Sequence, residues 1–225
     1  MEIEIVHGPG NSAAKIRLSQ GETCVAEGGS MIAMRGGLQL ETATHQRNRS
    51  IIGGLKRLVG GESFFQNYYT ATSDNAEVFL SATLPGDMVV LTPSPVGIIA
   101  EGGAFVARAA SVNMDMSWQG LKSMFSGESL FWLRMTGNGP LVLSGFGAIY
   151  PVDVDGEYVV DTGHILAFEE TLNFSISKAG GSWISSFLGG EGLVCKFSGK
   201  GKIWCQSHHA PAFGGTVGPL LRPRP

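Results

Sequence analysis

Three glutamates at regular spacing are the residues of this sequence best placed to do chemistry together. Glu62, Glu128 and Glu191 each follow a glycine and each precede an apolar run. If the fold brings them together, three carboxylates could hold a hard cation such as Ca²⁺. Each could instead accept backbone N–H hydrogen bonds in its own glycine-rich turn and fix the same corner three times. The corner is the simpler expectation, because it explains the repetition without a ligand.

A second set of polar side chains lies near the carboxyl end. Cys205, His208 and His209 offer sulfur and imidazole ligands of the kind that bind zinc or copper. A fourth ligand is not evident nearby, and adjacent histidines on an extended chain point to opposite faces. His164 begins an apolar strand, which favours a hydrogen-bonded, partly buried side chain over a catalytic base. We therefore expect no metal and no cofactor.

Common catalytic signatures are absent from the sequence. It contains no phosphate-binding loop, no His-Glu-x-x-His motif and no Gly-x-Ser-x-Gly nucleophile elbow. The formal net charge of −3 and the pI of about 5.9 give no strong attraction to nucleic acid. We expect a protein that is not an enzyme and does not bind nucleic acid.

The three glutamates each end a short apolar segment. The apolar positions are Leu55, Leu58 and Val59, then Leu121, Met124 and Phe125, then Ile184, Phe187 and Leu188. This i, i+3, i+4 spacing predicts one helical turn with an apolar face in each segment. The turns could plug the ends of the domain, or they could cluster at one end and dock on a membrane or a partner. The candidate interaction surface is therefore formed by Leu58, Phe125, Phe187, Glu62, Glu128 and Glu191.

A second pattern recurs upstream of these segments. Residues 29–34, 103–108 and 163–168 each run from a glycine through an apolar strand to an alanine and one further residue. A serine after a later strand also recurs, at Ser81, Ser144 and Ser207. Three strand-rich copies predict an all-β fold, a closed pseudo-threefold sandwich or barrel with short helical turns. The repeats cover roughly 1–82, 83–148 and 149–210 of a single domain over 1–210, and 211–225 is expected to be a flexible tail.

Composition agrees with a β-rich globular domain. The chain has 33 glycines and a hydrophobic fraction of 43%. Its apolar runs, such as Met88–Leu91, 141–143 and 158–160, are short and bounded by turn residues. Three cysteines form no Cys-x-x-Cys pair, which suits a reducing compartment. Cys195 and Cys205 flank a predicted turn at 198–201 and could face each other across a hairpin.

The amino terminus suggests where the protein resides. Residues 1–6 include Glu2 and Glu4 where a secretory signal needs positive charge. No stretch approaches the roughly twenty apolar residues of a membrane span. We expect a cytoplasmic protein that can lie peripheral to a membrane.

Three segments carry a resemblance that covers roughly residues 1 to 210. They are 61–67 (GESFFQN), 161–168 (DTGHILAF) and 190–201 (GEGLVCKFSGKG). With these segments the chain resembles a family of conserved bacterial proteins related to the fungal altered-inheritance-of-mitochondria protein of the mitochondrial inner membrane. The resemblance implies a β-sandwich akin to the tryptophan RNA-binding attenuator protein and no established enzymatic activity. It also suggests scaffolding, because the fungal relative is tied to organisation of the inner membrane.

Three hypotheses follow for the function. The first is a scaffolding or interaction protein that self-associates or binds a protein partner, with peripheral membrane contact. The second is a β module that binds a small ligand or a metal. The third and weakest is RNA binding by analogy of fold, which the acidic pI disfavours.

Overall fold

The computed structural model describes residues 1–44, 65–116, 132–178 and 193–221, and strands dominate them. In chain order the strands are β1 (Glu2–Val6), β2 (Ala13–Leu18), β3 (Thr23–Glu27), β4 (Met31–Arg35), β5 (Leu38–Thr44), β6 (Phe65–Ala71), β7 (Ala76–Ser81), β8 (Met88–Leu91), β9 (Ile98–Glu101), β10 (Phe105–Ala109), β11 (Val112–Asp115), β12 (Trp132–Gly137), β13 (Leu141–Ser144), β14 (Ile149–Asp161), β15 (Ile165–Glu169), β16 (Asn173–Lys178) and β17 (Leu193–Gln206). In the residues described, one α-helix, α1 (Ala210–Val217), follows them. The sequence predicted an all-β fold, and the described residues form a mostly β one.

The strands form three antiparallel sheets in the described residues. The first has the order β1-β2-β7-β4, and the second β5-β6-β3-β10-β13-β8. The third has the order β11-β12-β9-β15-β17-β14, with β16 also pairing with β17. The sequence predicted a closed arrangement, but β4 and β14 stand at the outer ends of their sheets. No ladder joins the first sheet to the third in the part of the chain described.

Buried apolar side chains form three clusters, each drawn mainly from one stretch of the chain. The first centres on residues 14–80, the second on 91–143 and the third on 152–205. Each cluster also takes one or more side chains from a neighbouring stretch, such as Val106 in the first and Trp204 in the second. Alternation explains the burial within a strand: in β2 the apolar Ile16 and Leu18 are buried while Arg17 between them is not.

A β-bulge recurs where three strands begin. The register shifts between Met31 and Ala33 in β4, between Phe105 and Ala107 in β10, and between Ile165 and Ala167 in β15. These are the strands that follow the repeated glycine in the sequence. In each strand the bulge therefore occupies the same place in the apolar pattern that the sequence predicted.

The predicted hairpin around 198–201 is wrong. β17 runs unbroken from Leu193 to Gln206, so Cys195 and Cys205 lie on one strand, about 33 Å apart along it. Gly199 lies opposite Gly156 in β14, and both have positive φ (111° and 113°). The pairing continues on both sides of these glycines, because glycine adopts positive φ without steric cost. All three cysteines are free and buried.

The carboxyl-terminal segment contains more local structure than the sequence indicated. Helix α1 begins at Ala210 with Pro211 in its first turn, a position where proline is well tolerated, and none of its residues is buried. Phe213 contacts Phe146, with ring centroids 5.3 Å apart. Among the described residues, no helix is both long enough and apolar enough to cross a membrane.

Candidate functional site

A cavity of about 470 Å³ lies where strands from distant parts of the chain converge. It is lined by Glu27, residues 82–84, Glu101, Gly103, Ala104, residues 144–146, Thr162, Gly163, Ile165, Gln206 and residues 209–211. The volume falls within the range of small-molecule sites. The wall combines apolar groups, such as Leu84, with a small set of polar ones.

Two carboxylates give the cavity its chemical character. Burial and the charge of Glu101 raise the pKa of Glu27 to about 7. Burial also raises the pKa of Glu101, although the backbone N–H groups of Gly103 and Ala104 donate to its carboxylate and oppose the shift. Near neutral pH the pair therefore holds a proton on Glu27 in part of the molecules. Such a pair suits a ligand that donates hydrogen bonds or carries positive charge.

Gln206 fixes the geometry of one wall. Its side-chain oxygen accepts from the Phe146 N–H at 2.9 Å, and its nitrogen donates to the Gly163 carbonyl at 3.1 Å. The Gln206 carbonyl contacts His164 Nδ1 at 2.9 Å. His164 is a hydrogen-bonded, half-buried side chain, as the sequence predicted. A substitution of Gln206 would release contacts to two elements at once.

The candidate metal ligands Cys205, His208 and His209 point to different places. Cys205 is buried in the third apolar cluster, and burial raises the pKa of its thiol to about 11. His208 contacts Ser207 Oγ at 2.8 Å and packs at a tilt against the Phe146 ring, while His209 faces His164. Among residues 1–44, 65–116, 132–178 and 193–221, no three His, Cys, Asp or Glu side chains form a group suited to a metal ion.

The six residues of the candidate interaction surface lie outside the described residues. Leu58 and Glu62 fall in 45–64, Phe125 and Glu128 in 117–131, and Phe187 and Glu191 in 179–192. The strands on either side of these segments are described. Glu27 of β3 pairs with Gln66, close to the start of β6, and Glu101 of β9 with Trp132, the first residue of β12. Asp161 of β14 pairs with Val194, the second residue of β17. Where the described chain resumes, it therefore pairs with two residues of the cavity lining, Glu27 and Glu101, and with Asp161, the neighbour of a third, Thr162.

The sequence did not predict the cavity, because its two carboxylates are far apart in the chain and belong to no known motif. A usable signal was nevertheless present. Two residues before each repeated glycine stands an acid: Glu27, Glu101 and Asp161. Asp161 accepts a hydrogen bond from the Gly163 N–H at 2.8 Å, so at this position the acid fixes the turn.

A strand with unusual exposure forms a second candidate surface. Every residue of β4 is exposed, including Met31 at 41%, Ile32 at 56% and Met34 at 47%. On β14, Tyr158 and Val159 are exposed by 43% and 56%. Apolar strands with unpaired N–H and C=O groups are templates for pairing with another chain.

Comparison with known proteins gives consistent relationships. The model of the family described as mitochondrial biogenesis AIM24 matches residues 3–208. An uncharacterised protein of Streptococcus pyogenes serotype M6 is 29% identical over 210 residues, which cover 90% of this chain and 84% of that protein. The X-ray crystal structure of a protein from Streptococcus pyogenes is similar over 98% of this chain and 99% of that one, with a TM-score of 0.79 and 26% sequence identity.

Proposed function

The chain belongs to the mitochondrial biogenesis AIM24 family, and from that premise we propose that it is a non-enzymatic interaction module that acts as a scaffold by associating with protein chains. The observation that carries the proposal is strand β4, in which every residue is exposed and four of the five are apolar. Met31, Ile32 and Met34 present large apolar side chains on a strand at the outer end of its sheet. Such a strand offers both backbone hydrogen bonds and apolar area to a partner.

We further propose that the chain is organised in three units over roughly 1–82, 83–148 and 149–210, which would suit a scaffold. Three apolar clusters and the register shifts at the starts of β4, β10 and β15 support this organisation. Each unit supplies one of the segments that carry Leu58, Phe125 and Phe187. If those segments share one end of the domain, they form a second contact surface there, for a partner or for the surface of a membrane.

The test measures association directly. Native mass spectrometry and light scattering over a range of protein concentrations should show assemblies, and flotation with vesicles should show whether the membrane is a partner. Changing Leu58, Phe125 and Phe187 together to serine should weaken any association that uses the three segments carrying them. A protein that stays monomeric at every concentration and floats with no vesicle would contradict the proposal.

The cavity favours a second candidate, a module that binds a small ligand. Glu27 and Glu101 within a cavity of about 470 Å³ would suit a small cationic or hydrogen-bond-donating molecule. A ligand retained in native mass spectra of the wild type, and absent from Glu101→Gln, would support it. Spectra that show only the bare chain mass would count against it. RNA binding remains the weakest alternative, and filter binding at low salt tests it.

A further inference from the structure

Two strand pairs join consecutive stretches of this chain, and both have the same register; we call each pair a junction and each stretch a unit. β3 pairs with β10 so that Ala26 lies opposite Ala107, and β9 pairs with β15 so that Ala100 lies opposite Ala167. In both junctions the next two positions continue the same antiparallel ladder. The first strand comes from one unit and the second strand from the unit that follows.

The sequence marks where a third junction of this kind would form. In both existing junctions the inner alanine of the first strand stands three residues before the repeated glycine. The alanine of the second strand stands four residues after its own repeated glycine. By the same count, Val160 precedes Gly163 by three residues and Ala33 follows Gly29 by four. By this count, residues 157–161 of β14 and strand β4 correspond to the two strands of such a junction.

These two halves are the ones that the described structure leaves exposed. Arg108 of β10 is 8% exposed and Phe168 of β15 is 1% exposed. Met34, at the corresponding position of β4, is 47% exposed. On the other side, Val25 and Ile99 are exposed by 1% and 0%, but Val159 by 56%. In the two formed junctions a partner strand lies beside these buried residues, whereas no ladder among the described residues pairs β4 with residues 157–161.

We propose that β4 of one copy pairs antiparallel with residues 157–161 of a second copy, with Ala33 opposite Val160 and Met34 opposite Val159. This names the partner for the interaction module and rests on that proposed function. A second copy is the occupant because both halves lie exposed at sheet ends within one chain, and because the matching half belongs to this same sequence. The contact joins unlike surfaces, so it builds rings or chains of copies head to tail.

The pairing would complete the pattern of the sheets. The second sheet has the six-strand order β8-β13-β10-β3-β6-β5, in which the junction lies at its centre. In the proposed contact, β4 of the sheet β1-β2-β7-β4 in one copy pairs with residues 157–161 of the next copy. Those residues already pair with 193–198, and 193–198 with β16. The composite sheet then has seven strands: β1 at its outer end, and six others with the new junction at their centre, as in the second sheet.

Disulfide formation tests the register. Met34→Cys and Val159→Cys are made as single variants, mixed under reducing conditions and then oxidised. Directly opposed residues on antiparallel strands lie within disulfide reach, whereas neighbours one residue out of register point to opposite faces. The mixture should therefore give a product of twice the 23.7 kDa chain mass, in which peptide mapping finds the two introduced thiols, at positions 34 and 159, linked to each other.

Two matched samples control the experiment. Met34→Cys mixed with Tyr158→Cys places the second thiol on the other face and should give several-fold less of the linked product. The native Cys24, Cys195 and Cys205 are buried, and burial raises the pKa of each thiol to about 11 or 12. They should not react under the same conditions, as the oxidised wild type will show.

Charge exchange gives an independent measurement. Met34→Lys should raise the apparent dissociation constant of the assembly about tenfold or more, because it leaves a charge in the junction. Mixing it with Val159→Glu should restore much of the affinity. Leu40→Lys, on a strand at the end of the second sheet, is the matched exposed control and should change nothing.

The outcomes separate this inference from the proposed function. Wild-type protein that associates while no cross-link forms and Met34→Lys has no effect would overturn the pairing and leave the interaction module intact. A single chain carrying both substitutions that forms the disulfide without a gain in mass would show closure on itself, which also overturns the pairing. Protein that neither associates nor cross-links at any concentration would overturn both.

Discussion

The pKa values of Glu27 and Glu77 shift in opposite directions because the charged neighbours of the two carboxyls differ. Glu77 of β7 accepts from Arg35 Nε at 2.5 Å and Arg17 Nε at 3.0 Å, and these hydrogen bonds lower its pKa to about 2. Glu27 has another acid, Glu101, as its charged neighbour. The first carboxylate therefore holds Arg35, at the end of β4, against its own sheet. The second is partly protonated at neutral pH.

The raised pKa of Glu27 predicts a stability that depends on pH. The folded state binds its proton up to about pH 7, whereas an unfolded chain releases it near 4.5. Stability from this group is therefore complete below about 4.5 and falls as the pH rises through 7. Because the side chain keeps some contact with solvent, we expect a loss of about 1–2 kcal/mol between about pH 5 and pH 8.

Glu27→Gln should remove that dependence. Urea unfolding of the wild type and the variant, measured at about pH 5 and pH 8, should converge at the lower pH and separate at the higher, with the variant more stable there. Glu41→Gln, at an exposed position of β5, is the control and should track the wild type. Equal slopes for wild type and Glu27→Gln would show that the Glu27 carboxyl is solvated in the fold.

At the scale of elements, the sequence predicted strands better than it predicted where they turn. The run Met88–Leu91 is β8, and 158–160 lies within β14, because short β-branched runs bounded by turn residues pack well in sheets. The turn at 198–201 was wrong because a glycine pair across two strands looks like a turn when only one strand is read. The bulges could not be predicted from the sequence for the same reason, because a bulge is a register shift between two paired strands.

A close backbone contact predicts which glycine the fold cannot replace. Gly86 forms a parallel bridge with Gly147, and a Cβ built on Gly86 would lie 2.0 Å from the Gly145 carbonyl oxygen. Gly86→Ala must push the two backbone segments apart, so we expect a loss of about 1–3 kcal/mol of unfolding free energy. Chemical denaturation measures it.

The control is a glycine without such a neighbour. Gly214 lies in α1, and a Cβ built there meets nothing within 4 Å. Gly214→Ala should leave stability unchanged or raise it by up to about 1 kcal/mol, because alanine favours the helix. If Gly86→Ala lowered the unfolding free energy no more than Gly214→Ala, residues 85–87 and 145–147 would have to lie farther apart than this structure places them.

For the whole molecule, the period of the sequence predicted three units but not how they connect. Glycine spacing identifies equivalent strands, whereas pairing β3 with β10 and β9 with β15 requires the three-dimensional arrangement. The cavity could not be predicted from the sequence because it exists only where distant stretches of the chain meet. The exposed strands β4 and β14 likewise become evident only when the strand order of each sheet is known.

Assembly through those two ends predicts that thermal stability depends on concentration. A partner that binds only the folded chain stabilises it by mass action, so the Tm of the wild type should rise with protein concentration over the micromolar range. Val159→Lys removes the contact without disturbing the core, because Val159 is 56% exposed. Its Tm should not change with protein concentration and should equal the wild-type value extrapolated to high dilution.

The control is an exposed position on another sheet edge. Val90→Lys, at a position 39% exposed in β8 at the end of the second sheet, should keep the wild-type dependence of Tm on concentration. Parallel slopes for all three proteins would mean that association, if present, does not use β14, and the search would return to the segments that carry Leu58, Phe125 and Phe187.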